Sequence, residues 1–143
     1  MLKTREIPQA DYRLYEQKAH QAYEAMGVLY NAELWTPLGR EAVFTCINMA
    51  DALLARHKQL RNMSKDHMSI LKIMALLPMK DALNQINRLR KVIAIKNLVD
   101  YENKNFSKKQ AEDVMKNAER FYNWGKEYLW KLVMPEFQHW INI

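Results

Sequence analysis

Basic side chains concentrate in one part of the sequence, where they could bind phosphate groups. Residues 80–109 contain eight Lys or Arg against three Asp or Glu. On a helix Arg88 and Lys91 lie one turn apart, and Lys and Arg contact phosphates without reading base sequence. The candidate anion-binding residues are Arg88, Lys91, Lys96 and Asp100. A solvated helix face explains the same pattern, so both interpretations stay open.

Other chemistry finds little support in the sequence. Metal ions need His, Cys or carboxylates that converge in space, but the histidines are scattered and no HExxH motif occurs. Three distant glycines form no phosphate-binding loop. Cys46 falls in an apolar helical pattern, so we expect a core residue rather than a nucleophile. The sequence therefore predicts no metal and no cofactor. The histidines are His20, His57, His67 and His139.

The composition limits the class of protein that could position these side chains. The 143 residues fit one domain, and 49% apolar with 27% charged residues is ordinary for a globular protein. The formal charge of +6 is compatible with nucleic acid or acidic surfaces. A single cysteine fits a reducing compartment, and no apolar run reaches the roughly 20 residues of a membrane span. We expect a cytoplasmic protein without membrane attachment.

Helical periodicity extends over nearly the whole chain. Apolar residues recur at steps of three and four in five segments, whereas no segment alternates for long with the period of a strand. The predicted fold class is therefore all-α. We expect one helical domain over 1–143, with a bundle at about 10–134 and a short apolar tail at 135–143. The predicted helices cover residues 10–34, 36–56, 64–77, 81–101 and 107–134.

Local signals predict where three of these helices begin. Thr36 can cap the first free N–H groups of the second helix, and Pro37 is tolerated at its first position. Ser64 is predicted to cap the short third helix. Ser107 and Gln110 match the capping box, in which each side chain binds the backbone N–H of the other residue.

The same periodicity predicts which residues are buried. Phe44 belongs to the apolar stripe of the second helix, and Leu83 to that of the fourth. Gly125 lies on the apolar side of the last helix, where a missing side chain allows close helix contact. Residues 56–63 are predicted to be a basic connection rather than a regular element.

The order of these helices resembles the HEPN family (higher eukaryotes and prokaryotes nucleotide-binding domain). The likeness rests on WTPLGREAVFTCINMADALLARH, a short SKDH helix, IKNLVDY and KKQAEDVMKNAERFYNW, and it covers roughly residues 12–132. It implies an up-and-down four-helix bundle with an additional short helix, commonly forming a homodimer. In active members an Arg-Asn-x-x-x-His signature on the fourth bundle helix cleaves RNA at the dimer cleft without metal. Other members bind nucleotides or protein partners, often beside a minimal nucleotidyltransferase.

Mapped onto this chain, the family signature is degenerate. Lys96 takes the place of the signature Arg, Asn97 matches the Asn, and Tyr101 takes the place of the His. Lys keeps the charge but loses the bidentate fork that suits a phosphate. Tyr, with an ordinary pKa of about 10, is a poor general base at neutral pH. The ending Asp100-Tyr101 resembles the Asp-Tyr closing of non-catalytic bacterial members, so no catalytic residue is assigned.

Arg61-Asn62 followed by His67 forms a second arrangement of the same residue types. It spans a predicted loop and helix start rather than one continuous helix. A catalytic pair of Arg61 and His67 is therefore an alternative to the pair at Lys96 and Tyr101.

Three functions follow from these observations. The first is a non-catalytic HEPN-like homodimer that binds a nucleotide, a nucleic acid or a protein partner through its fourth helix. The second is a metal-independent ribonuclease of the toxin type that acts at the dimer cleft. The third is a purely structural dimer, in which the basic face contributes only solubility.

Overall fold

Helices form most of the structure, a computed structural model that describes residues 2–77, 79–101 and 105–133. Five α-helices pack together in these ranges, which confirms the all-α bundle. None of these described helices is long and apolar enough to cross a bilayer. The predicted tail at 135–143 lies outside the described residues. In chain order the elements are β1 (Thr4–Glu6), α1 (Tyr12–Asn31), α2 (Trp35–Lys58), β2 (Leu60–Asn62), α3 (Ser69–Met74), α4 (Ala82–Tyr101) and α5 (Lys108–Val133).

The α2 helix is the centre of the bundle, because it contacts α1, α4 and α5. Seven consecutive residues from Met49 to Ala55 are buried, so this part of α2 is covered on nearly every side. Cys46 is fully buried in the same helix, and burial raises the pKa of its thiol. The core role predicted for Cys46 is confirmed.

The start of α5 has the capping box that the sequence predicts. The Ser107 backbone N–H donates to the Gln110 side-chain oxygen at 2.8 Å, and the Gln110 N–H donates to the Ser107 hydroxyl at 3.1 Å. Farther along α5, Gly125 packs directly against the side chain of Met49 in α2. The close helix contact predicted at Gly125 is therefore confirmed.

Residues 60–62, predicted to lie in a connection, form a strand instead. β2 pairs antiparallel with β1, with Thr4 opposite Asn62 and Glu6 opposite Leu60. The flanking bonds from the Ile7 N–H to the Gln59 carbonyl, 3.0 Å, and from the Met63 N–H to the Lys3 carbonyl, 2.8 Å, extend the pairing. Three-residue strands are too short to produce an alternating pattern, which explains why periodicity missed them.

Two predicted helix starts are also wrong. α2 begins at Trp35 after Leu34, and the Thr36 hydroxyl instead accepts a hydrogen bond from the Phe106 N–H at 3.3 Å. α3 begins only at Ser69, because the Ser64 hydroxyl accepts from the Asp66 N–H at 3.2 Å in a tight turn. In both cases a side chain that could cap a helix binds a backbone group elsewhere.

Two apolar residues predicted to be buried are exposed. Phe44 is 54% exposed on α2, and Leu83 is 83% exposed in the first turn of α4. Gln85 is buried in place of Leu83, and its amide donates to the Asp81 carboxylate at 2.9 Å. Periodicity identifies an apolar face but not how far a neighbouring helix covers it, so the edges of each face are predicted poorly.

A matched pair of glycine substitutions measures the contact between α2 and α5. Gly125→Ala places a methyl group into the Met49 side chain, whereas Gly27→Ala in α1 meets open space. Both changes gain the same helix propensity, about 1 kcal/mol, so their difference isolates the cost of overpacking. We expect Gly125→Ala to be about 1–3 kcal/mol less stable than Gly27→Ala in urea unfolding. Equal stabilisation by the two changes would contradict the contact.

Candidate functional site

Two small grooves at the C-terminal half of α4 bring His67 and Lys96 together. One groove, about 80 Å³, lies between α2 and α4 and extends to His67. The other, about 140 Å³, lies between α4 and the turn before α3. His67 and Lys96 line both, and we call the combined surface the Lys96 groove. Its lining residues are Arg40, Val43, Phe44, Ile47, Lys65, Asp66, His67, Met68, Ile93, Ala94, Lys96, Asn97, Val99 and Asp100.

A network of hydrogen bonds holds the turn that carries His67. The Asn62 side-chain oxygen, at the end of β2, accepts from the Ser64 N–H at 3.2 Å and from the Ser69 hydroxyl at 3.1 Å. The Asp66 carboxylate accepts from the Met68 N–H at 3.0 Å. These bonds join β2 to α3 and fix the residues on either side of His67, so the imidazole sits on a defined turn.

His67 and Lys96 interact electrostatically. Partial burial and the Lys96 charge lower the pKa of His67, and the Asp66 carboxylate opposes this shift. The His67 imidazole is therefore neutral at neutral pH and can either donate or accept one hydrogen bond. Among the described residues, Lys96 makes no ion pair, so its ammonium group is available to a ligand.

An ion pair between α2 and α4 borders the groove. The Arg40 guanidinium donates to the Asp100 carboxylate at 3.1 Å, with the two side chains 52% and 29% exposed. An exposed pair of this kind contributes about 0–1 kcal/mol to stability. Its larger effect is positional, because it keeps Asp100 engaged and places the Arg40 cation on the same surface as Lys96.

The structure separates the residues that the sequence grouped together. Lys96, Asn97 and Asp100 line the Lys96 groove, whereas Arg88 and Lys91 do not. Arg88 lies near Asp81, at the opposite end of α4. Two side-chain hydrogen bonds lower the pKa of the Asp81 carboxyl most, and the charge of Arg88 lowers it further. Eight residues, about 12 Å of helix, separate Arg88 from Lys96. The side chain of Tyr101 lies outside the described residues.

The catalytic pair of Arg61 and His67 does not match the observed grouping, whereas the pair of Lys96 and Tyr101 stays a prediction, because the Tyr101 side chain lies outside the described residues. Arg61 does not line the Lys96 groove, and its guanidinium lies 5.4 Å from the centre of the Tyr15 ring. His67 instead meets Lys96, 29 positions later in the chain. Sequence reasoning missed this grouping because no periodicity relates a turn residue to a helix residue at that distance.

A larger cleft of about 470 Å³ opens between α1 and α2, on the other side of Phe44. We call it the Asp51 cleft. Asp51 is only 8% exposed, and burial raises the pKa of its carboxyl to about 7 despite the opposing charges of Arg61 and Lys18. The lining residues are Lys18, Gln21, Ala22, Glu41, Phe44, Ile47, Asn48, Asp51 and Arg61.

The Asp51 cleft and the Lys96 groove form one continuous surface. Phe44 and Ile47 line both of them. Residues 40, 44, 47 and 51 follow helical spacing, so they form one stripe on the outer side of α2. This stripe was not predicted from the sequence, because its only large aromatic residue was assigned to the core.

Metal chemistry finds no support in the described part of the chain, where no three His, Cys, Asp or Glu side chains are placed to hold an ion. Comparison of the sequence with protein-family models and with curated proteins finds no match. The HEPN resemblance therefore stays a prediction, based on the motifs quoted above.

The Asp51 carboxyl is expected to make stability depend on pH. Its folded pKa of about 7 exceeds its ordinary value of 3.8, so its contribution is complete below about pH 4 and is lost as pH rises through 7. We expect Asp51→Asn to remove this loss. The variant should gain roughly 2–4 kcal/mol of unfolding free energy relative to wild type between pH 4 and pH 8.

Urea unfolding at several pH values measures this difference. The charged or titratable groups that act on Asp51 or share its cleft are Lys18, Arg61, Tyr15 and Glu41, and all are retained in the variant. Asp113→Asn, at an exposed carboxylate, is the control and should keep the wild-type pH slope. Parallel pH profiles for wild type and Asp51→Asn would show that Asp51 does not hold a proton in the folded state.

Proposed function

We propose that this chain is a non-catalytic, HEPN-like module that forms a homodimer and binds the phosphate of a nucleotide or an RNA in the Lys96 groove. The observation that carries the proposal is the convergence of His67 and Lys96, from separate segments, on one surface beside Arg40. The homodimer and a nucleotidyltransferase as protein partner come from the family resemblance alone.

The electrostatics of the groove suit an anion. Arg40 is neutralised in part by Asp100, but Lys96 has no ion-pair partner among the described residues. A phosphate would accept a charge-assisted hydrogen bond from Lys96 and a neutral one from an N–H of His67. The net charge of +6 adds long-range attraction for a polyanion.

The same groove argues against cleavage of RNA. Metal-free cleavage requires a general base for the 2′-hydroxyl and a general acid for the departing 5′-oxygen. Among the described residues of the groove, His67 is the one imidazole and can fill one of these roles. The carboxylates of Asp66 and Asp100 already accept hydrogen bonds from the Met68 N–H and from Arg40. No second imidazole among these residues completes an acid–base pair.

One observation keeps a metal-independent ribonuclease as the second candidate. His67 is neutral beside the Lys96 cation, which combines a possible base with a group that stabilises charge on phosphorus. In a homodimer the second subunit would have to supply the acid. A test for cleavage therefore separates the two functions.

Removal of the Lys96 charge tests the binding site. We expect Lys96→Ala to weaken binding of a short single-stranded RNA by about tenfold, which corresponds to one lost charge-assisted contact of about 1.4 kcal/mol. The slope of log affinity against log salt should fall by about 1. Fluorescence anisotropy at several salt concentrations measures both quantities.

Lys91→Ala is the matched control, because it removes an exposed charge from α4 outside the groove. It should change the affinity for the RNA by less than about twofold, because removal of one exposed charge has a small effect on free energy. Equal losses for Lys91→Ala and Lys96→Ala would indicate a diffuse basic face rather than a site. If wild type binds no RNA or nucleotide, the third function, a purely structural dimer, replaces this proposal. A monomer in light scattering at micromolar concentrations would contradict the homodimer.

Incubation of the purified protein with RNA tests the absence of catalysis. We expect the RNA to remain intact over hours, because the described residues of the groove provide one imidazole rather than the acid–base pair that cleavage requires. The informative variants are His67→Ala and the double variant Lys96→Ala/Tyr101→Phe. Cleavage by wild type that either variant abolishes would establish the ribonuclease instead, whereas cleavage unchanged in both would indicate a contaminating enzyme.

A further inference from the structure

The Asp51 cleft contains a buried carboxylate that lacks hydrogen-bond donors. Among the described residues, no group donates a hydrogen bond to Asp51, and no cation lies within ion-pair distance of it. Asp51 is nevertheless more than nine-tenths buried. Its oxygens are not among the fully buried polar atoms, so they face the cleft, and groups that enter the cleft can supply their hydrogen bonds.

The two nearby cations do not fill this need. Arg61 lies over the Tyr15 ring, and both Arg61 and Lys18 act on Asp51 only through their charge. The cleft of about 470 Å³ is large enough for a small organic ligand. A ligand with two adjacent N–H donors would satisfy both carboxylate oxygens at once.

We propose that the Asp51 cleft binds a guanine base, whose N1–H and 2-amino N–H donate to the two carboxylate oxygens of Asp51. Guanine alone among the common bases has two adjacent donors on its pairing edge, whereas adenine, cytosine and uracil pair a donor with acceptors. This inference rests on the proposed function, because it identifies the base of the nucleotide or RNA whose phosphate binds in the Lys96 groove.

The surroundings of Asp51 fit a flat, neutral base better than a cation. Phe44 is 54% exposed at the edge of the cleft and offers a ring face for stacking, which contributes about 1–3 kcal/mol per base in single-stranded recognition. A guanidinium group has similar N–H donors, and Asp51 and Glu41 would attract it, but the charges of Lys18 and Arg61 oppose it, whereas a neutral base meets no such repulsion. Lys18 can instead donate to the guanine O6 carbonyl.

The continuity of the surface connects base and phosphate. Phe44 and Ile47 line both the cleft and the groove, so a base that stacks on Phe44 leaves its phosphate on the side of Lys96. Asp51 lies two turns, about 10 Å, from Phe44 along α2. The base and phosphate sites are therefore neighbours on one helix, at a spacing that a nucleotide or a short RNA can span.

Isothermal titration with nucleosides at pH 8, above the pKa of about 7 of Asp51, tests the ionised carboxylate of the cleft without involving a phosphate. Inosine is guanosine without the 2-amino group, so wild type should bind guanosine at least tenfold more tightly than inosine. Asp51→Asn should remove that preference, since one of its two side-chain oxygens becomes an NH₂ donor that opposes a ligand donor. Phe44→Ala, at an exposed position, should weaken both nucleosides by a similar factor and keep the preference.

The controls separate this inference from the proposed function. Lys96→Ala should leave guanosine affinity unchanged while it weakens guanosine monophosphate. Nucleotide binding that depends on Lys96 but shows no preference for guanosine over inosine would overturn the guanine site and leave the proposed function intact. Guanosine binding that depends on Asp51, with no added affinity from a phosphate, would support the cleft and contradict the phosphate site. Binding of free arginine in place of guanosine, or loss of affinity in Phe44→Ala with none in Asp51→Asn, would also overturn the guanine assignment.

Discussion

Burial of α2 is the constraint on which the rest of the structure depends. The helix contacts α1, α4 and α5, so its apolar residues form the common core of the bundle. These neighbours leave one stripe of α2 partly uncovered, where Arg40 and Phe44 are exposed and Ile47 is half-buried, and the stripe ends at the buried Asp51. Both the Lys96 groove and the Asp51 cleft lie along it. The candidate sites are therefore a consequence of how the core is packed.

The two ends of this stripe differ in their electrostatics for a structural reason. Near the start of α2, the stripe faces α4 and the turn before α3, which contribute Lys96 and His67. Toward the end of α2, it faces α1 and β2, and Asp51 is buried there beside Arg61 and Lys18, which act on it only through their charge. One surface thus offers a site for an anion and, beside it, an acceptor for N–H donors. Phe44 separates the two.

Much of the fold could be predicted from the sequence. Helical spacing identified the five helices, the capping box located the start of α5 at Ser107, and the apolar pattern identified Cys46 and the contact at Gly125. The errors have a common physical cause. Thr36, Ser64 and Phe44 were each assigned from their local pattern. In the structure a distant backbone N–H binds the Thr36 hydroxyl, a backbone N–H of the adjacent turn binds the Ser64 hydroxyl, and the Phe44 ring is exposed.

The sequence by itself determined the helical class and the presence of a basic segment, because these depend on spacing within one segment. Only the tertiary structure decided which charges share a site. It placed Lys96 beside His67 rather than beside Arg88, and it buried Asp51 where none of the described residues donates a hydrogen bond to it. The physical reason is that a binding site depends on distances between segments, and helix packing sets those distances.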